Sequence, residues 1–93
     1  MPFTAPDPDY QRRVRDSFAA QTFMSTIGAN IVALEPGLCE LALDYDRRLT
    51  QQHGFIHGGV VSTLADTSSG YAAFSLMPAQ AQVLTTEFKI NLL

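Results

Sequence analysis

Hydrophobic positions along the chain follow two periodicities, and the switches between them predict its elements. Tyr10, Val14, Phe18 and Phe23 recur at near-helical spacing behind Asp7-Pro8. That pair reads as an N-cap followed by proline at the first helical position. The spacing predicts a helix from Pro8 to Gln21, carried one more turn to Thr26 and ended by Gly28. Residues 1–7 contain Pro2 and Pro6 and no pattern, so they read as a loose arm. Ala29 to Leu34 is short, apolar and rich in branched residues, and Glu35-Pro36-Gly37 signals a turn. Leu38, Glu40, Ala42 and Asp44 then alternate with Cys39, Leu41, Leu43 and Tyr45. Period two predicts a half-buried strand, and two strands around a Pro-Gly turn make a hairpin. Asp46 to Ile56 is polar, carries Gly54 and reads as a loop.

From Gly58 to about Leu76 the length fits a helix far better than a strand. On a helical wheel Val60, Val61, Leu64, Ala65, Ser68, Tyr71 and Ala72 share one face. Gly59, Ser62, Thr63, Asp66 and Gly70 gather on the other. With Asp66 as its one charge, this helix is expected to be buried on most sides. Gln82 to Leu93 alternates again and predicts a long strand. The order helix, hairpin, buried helix, strand is α+β in a single domain spanning 1–93. It divides into the arm (1–7), a helical region (8–26) and a core (29–93). Three strands would leave an apolar sheet edge unpaired. The expectation is therefore an incomplete core, truncated at its C-terminus.

Composition narrows the function classes. A length of 93 residues allows one domain. With 46% hydrophobic and only 16% charged residues, apolar surface is left over for association. A net charge of −3 without a basic stripe argues against a nucleic-acid partner. Arg12, Arg13 and Arg15 lie among Asp7, Asp9 and Asp16 and read as a solvated mixed-charge face. Cys39 is the one cysteine, which excludes an intramolecular disulfide and favours a reducing compartment. Its place in an alternating run marks it as a buried structural thiol rather than a nucleophile. No signal-peptide pattern opens the chain, and no apolar run approaches the ~20 residues of a membrane span. A cytoplasmic protein without a membrane partner is expected.

The candidate chemistry lies in His57-Gly58-Gly59 and Asp66. Glycines at a helix start present free N–H groups and the positive end of the dipole, a place for an oxyanion. A lone acid in an apolar run needs a partner or a task. Asp66 lies eight residues beyond Gly58, or ~12 Å along a helix axis. One carbonyl cannot touch both on one helix. If both act on one bond, the second group comes from another copy, across a two-fold relating antiparallel helices. A capped core helix with Asp66 bonded to a neighbouring backbone group reads equally well from spacing alone. A base and an oxyanion site suit an ester with a good leaving group. A thiol of pKa ~8.5 leaves without strong acid help, whereas an amide wants a dedicated acid. There is no G-x-S-x-G elbow and no phosphate loop. His53 and His57 stand at i, i+4, but the glycines around them make a loop without a third ligand, so no metal is expected.

The run Leu49-x-Gln51-x-x-Gly54-x-x-His57-Gly58-Gly59-x4-Leu64-x-Asp66-Thr67 resembles the signature of hotdog-fold acyl-CoA thioesterases of the phenylacetic-acid-degradation (PaaI-like) type. Thr85 to Leu93 is similar to that family's following strand, and the resemblance covers about Gly28 to Leu93. It implies a long helix wrapped by an antiparallel sheet, with subunits forming a homodimer or a dimer of dimers (a homotetramer). It implies Asp66 as general base or nucleophile and Gly58 as backbone donor to the thioester carbonyl. His57 would shape the turn and contact the thioester, and Thr85 would help place the attacking water. Gln51 stands where many members have asparagine and, keeping the amide on one more methylene, would orient the site. Gly59 falls with the substrate-binding residues. Phe55, Tyr71 and Phe74 are candidates to line an acyl or aryl pocket, with core packing as the alternative for each. The substrate implied is an acyl-CoA, and no cofactor is implied beyond the CoA that the substrate carries. Two other readings stay open: a hotdog hydratase or dehydratase on acyl thioesters, and a non-catalytic fragment that binds acyl-CoA or dimerises.

Overall fold

The computed structural model describes residues 3–92. The helix expected over 8–26 is two helices, α1 (Tyr10–Ala20) and α2 (Thr22–Ile27). Gln21 separates them with extended backbone (φ −82°, ψ 98°), and its N–H closes onto the Phe18 carbonyl. The break resets the helical phase. Val14 is buried as its spacing requires, but Phe23 is 52% exposed and Met24 and Ile27 turn inward instead. Helix α1 also begins later than the proline suggests, with Asp9 rather than Asp7 at the N-cap. Asp7 does not end a loose arm. It is 8% exposed, accepts the Asp9 N–H through Oδ1 and pairs with Arg13 at 3.2 Å. Gly28 ends α2 in the left-handed conformation (φ 74°) that glycine adopts at least cost.

Strands β1 (Ala29–Glu35) and β2 (Leu38–Leu43) form the antiparallel hairpin. Pro36 fixes φ at the turn, and Gly37 takes the φ of 80° that follows it. In β2 the alternation predicts the faces: Cys39 is buried and Leu41 and Leu43 half-buried, with Leu38, Glu40 and Ala42 exposed. In β1 the ladder slips between Ile31 and Ala33. This bulge turns Val32 to solvent and brings Leu34 back to the core face, where it opposes Cys39.

The long helix α3 (Gly58–Phe74) packs across the hairpin, chiefly on β2. Val14, Leu34, Cys39, Tyr71 and Phe74 form the core between α1, the hairpin and the C-terminal half of α3. Met24, Ile27 and Ala29 form a second cluster, against which Phe18, Leu43, Leu49 and Leu64 pack. Arg13 departs from the solvated face assigned to it. Its guanidinium donates to the carbonyls of Phe74 (2.9 Å), Met77 (3.0 Å) and Pro78 (2.6 Å), and lies 4.4 Å from the Phe74 ring centroid. A cation there satisfies carbonyls that a helix C-terminus leaves free. The buried Ser75 ties the same end to the hairpin: its Oγ accepts the Gly37 N–H (2.8 Å) and donates to the Ala72 carbonyl (2.7 Å).

One expectation is met in part and another is not met. Helix α3 is deeply buried at Tyr71 and Phe74, while Val61 near its start is 39% exposed. Residues 82–92 do not form the expected strand. They run back along α3, with Thr85 at Asp66 and Leu92 at Gly58. A strand needs a ladder partner, and this segment lies against α3 instead of along either open edge of the β1–β2 hairpin. The architecture is α+β, a long helix against an antiparallel hairpin. No helix among the described residues is long and apolar enough to cross a membrane.

Candidate active site

Asp66 lies midway along α3, where the returning segment brings Thr85 to it. The Thr85 hydroxyl donates to Asp66 Oδ1 at 2.6 Å. Asp66, Gly70 and Thr85 border two clefts. One, of about 440 Å³, opens between α3 and residues 84–90. The other, of about 290 Å³, is closed by Ser17 of α1, by Gln21 just after it and by Tyr71. There the Tyr71 hydroxyl accepts from Gln21 Nε2 at 2.6 Å and shares a hydrogen bond with Ser17 Oγ at 3.0 Å. Ser17 and Gln21 precede the motif and were not among the expected site residues. A signal for them exists: Arg13, Ser17 and Gln21 repeat every four residues beside the apolar Tyr10-Val14-Phe18 row.

The start of α3 is built from the loop before it. The His57 N–H donates to the Leu49 carbonyl (2.8 Å), and Thr50 bridges Ile56. Gln51 organises the turn. Its backbone N–H donates to the Phe55 carbonyl (2.8 Å), and its Oε1 accepts from the N–H groups of His53 (2.5 Å) and Phe55 (3.4 Å). His57 is the N-cap of α3, with Nδ1 accepting the Gly59 N–H at 2.8 Å. The neutral ring therefore carries its proton on Nε2. The His57 carbonyl takes the Val60 and Val61 N–H groups (2.9 and 3.3 Å). The Gly58 N–H meets no acceptor among the described residues. The two glycines are thus not equivalent. Gly59, placed with the substrate contacts on sequence grounds, has its N–H engaged by the cap, and Gly58 offers the donor. A groove of about 320 Å³ adjoins this end, lined by Phe23, Ile27, Leu49, His57, Val60 and Thr63.

The three aromatic pocket candidates separate. Tyr71, 3% exposed, reaches the Asp66 cleft with its hydroxyl end. Phe74 is a core residue beneath Arg13, its ring 6.2 Å from that of Tyr71. Phe55 is 71% exposed and lines no cleft with Asp66. Asp66 lines its clefts without Gly58, and the groove at the helix start is lined by His57, Gly59 and Val60 without Asp66, as expected for two groups ~12 Å apart on one helix. Elsewhere, hydrogen bonds from the Arg48 side chain and backbone N–H hold the Asp46 carboxyl down to about 2. Burial pushes the Cys39 thiol above its usual value, against a weaker pull from Arg15. That leaves it protonated and poorly nucleophilic at neutral pH.

A family model described as a domain of unknown function, DUF4442, matches residues 12–93. The chain belongs to the DUF4442 family. This DUF4442 chain is similar to a solved structure, that of a thioesterase family protein from Silicibacter pomeroyi. The two are 61% identical with a TM-score of 0.86, over 88% of this chain and 60% of the other. Its α+β arrangement is the hotdog arrangement expected from the motif. Two proteins of Saccharolobus solfataricus, each named "Putative esterase", are 31% and 32% identical to it. These matches cover 80% and 86% of this chain and 52% and 53% of the relatives. A Halobacterium salinarum protein of the same designation is 31% identical over 75% of this chain and 50% of its own length. The DUF4442 chain spans about half the length of the curated relatives it matches.

Proposed function

We propose that the chain supplies both halves of an acyl-CoA thioesterase site of the PaaI-like type, each half completed by a second copy of the protein. The observation that carries the reading is the Thr85–Asp66 hydrogen bond, made on the same helix that opens with the unengaged Gly58 N–H. With Oδ1 held by Thr85, the other oxygen of Asp66 is left to act as the base. Water attacks the thioester carbonyl carbon as Asp66 takes its proton. The partner's helix start binds the developing oxyanion through the N–H of Gly58. The C–S bond then breaks, and CoA leaves as a thiolate that recovers the proton, with the acyl group released as a carboxylic acid. Gln51 and His57 are positioning residues, Gln51 by holding the loop and His57 by capping the helix and engaging Gly59. The similarity to a thioesterase family protein and to proteins named as esterases supports the reaction class. We place the reaction in the cytoplasm, a reducing setting that fits the lone thiol of Cys39.

Thiol release from a panel of acyl-CoAs tests this. Asp66→Asn keeps the shape and the Thr85 contact but removes the base. It is expected to lower kcat by about 10²- to 10⁴-fold. Equal thiol release by wild type and Asp66→Asn would sink the assignment.

A further inference from the structure

The wall behind Asp66 in the smaller cleft is polar, and it comes from outside the hotdog motif. Gln21, at the break between α1 and α2, donates one Nε2 hydrogen to the Tyr71 hydroxyl. Its second Nε2 hydrogen and its Oε1 have no partner among the described residues. The Tyr71 hydroxyl, already accepting from Gln21, shares its remaining hydrogen bond with Ser17. Gln21 and Ser17 are half-buried, and both line the space that Asp66 and Thr85 border. None of these side-chain atoms is sealed away from solvent without a partner. Open to solvent, they are satisfied by water when no ligand is bound. A ligand entering the cleft displaces that water. A plain alkyl chain then leaves the Gln21 amide unpaired, whereas a hydroxyl or keto oxygen on the acyl group replaces the lost bonds. The volume, about 290 Å³, lies at the small end of ligand pockets and suits a short group.

From this geometry we infer that Gln21, with Tyr71 and Ser17 behind it, is a specificity determinant for acyl groups carrying a hydrogen-bonding oxygen. It selects these over plain alkyl groups of the same length. Gln21 touches the tail of the substrate and not its thioester. The inference rests on the thioesterase reading for its substrate but not for its test. The probes are non-hydrolysable thioether analogues of acyl-CoA in matched pairs. One member of each pair is plain, and the other carries a hydroxyl at successive carbons of the same chain. Binding to the full chain is measured by calorimetry. Wild type is expected to bind the best-placed hydroxylated analogue about tenfold more tightly than its plain partner, the effect of one unpaired polar group. Gln21→Leu brings that ratio close to one. Tyr71→Phe and Ser17→Ala reduce it, and they decide the matter if Gln21→Leu fails to fold. A ratio of one in wild type, a ratio untouched by folded variants, or no binding of either analogue overturns the inference. Thiol release from the corresponding acyl-CoAs is scored separately. Analogue preference without any thiol release would refute the thioesterase reading and leave the specificity wall standing.

Discussion

Arg13 shows how far a residue can depart from its sequence context. Three aspartates surround it in sequence, and for Arg12 that context is decisive: it pairs with Asp9 and Asp16 on an exposed face. Arg13 lies one position round the helix and turns inward, where Asp7 meets it and the last carbonyls of α3 accept from it. Helical phase predicts that Arg13 borders the Val14 row, but no local pattern tells that residues 74–78 wait opposite. Removing one partner of a buried pair leaves a desolvated charge on the other. Arg13→Met should therefore destabilise the fold by about 2–4 kcal/mol. Arg13→Lys, which keeps the charge but cannot fork to three carbonyls, should fall between Met and wild type. Urea denaturation midpoints measure the series. A loss within ~0.5 kcal/mol for Arg13→Met, the usual range of a surface change, would return Arg13 to the solvated face.

At the level of elements, β2 and α3 were legible, whereas the junctions and the state of the alternating segment 82–92 were not. The alternation of β2 and the length of α3 come straight from the pattern of apolar positions. The α1–α2 break does not, because Gln21 carries no breaker signal and is held extended by its contacts to Phe18 and Tyr71. The bulge in β1 escaped for a related reason: in the apolar run Ile31 to Leu34, either face could be the buried one. Helix α3 also carries a weakness that makes sense only beside the clefts. Gly70 sits in its interior, yet a Cβ there would meet nothing within 4 Å. No packing demands the glycine, and alanine in a helix interior is worth ~0.5–1 kcal/mol more. The space a side chain would enter is the wall common to both Asp66 clefts. Gly70→Ala should raise the melting temperature by about 2–8 °C while lowering kcat/KM for acyl-CoA, and Gly70→Leu should lower kcat/KM further. If kcat/KM stays constant as the side chain grows, the clefts next to Gly70 do not hold substrate.

At the scale of the whole molecule, the motif places both chemical groups on one helix, and the fold keeps them apart. Asp66 borders its clefts eight residues away from Gly58, and the N-terminal half of α3 is only half-covered. The polar wall of Ser17 and Gln21 was hidden because the motif begins after them. A site shared by two copies can be tested without measuring assembly itself, through a substitution that removes one donor and little else. Gly58→Pro is suited to this. Proline is favoured at the first helical position and deletes the N–H there. His57, at φ −60° and ψ 137°, already has the extended backbone that a residue before proline requires. The added Cβ would approach Leu92 Cδ1 at 3.0 Å, the far end of a flexible side chain that can shift. Gly58→Pro and Asp66→Asn should each be folded and nearly inactive alone, with about 10²- to 10³-fold lost for a missing oxyanion donor. Unfolding and refolding the two together creates mixed pairs in which one site receives both intact groups. Random pairing makes half the pairs mixed and half the sites in each intact, so about a quarter of wild-type activity should return. A site built within one chain gives no recovery at any mixing ratio.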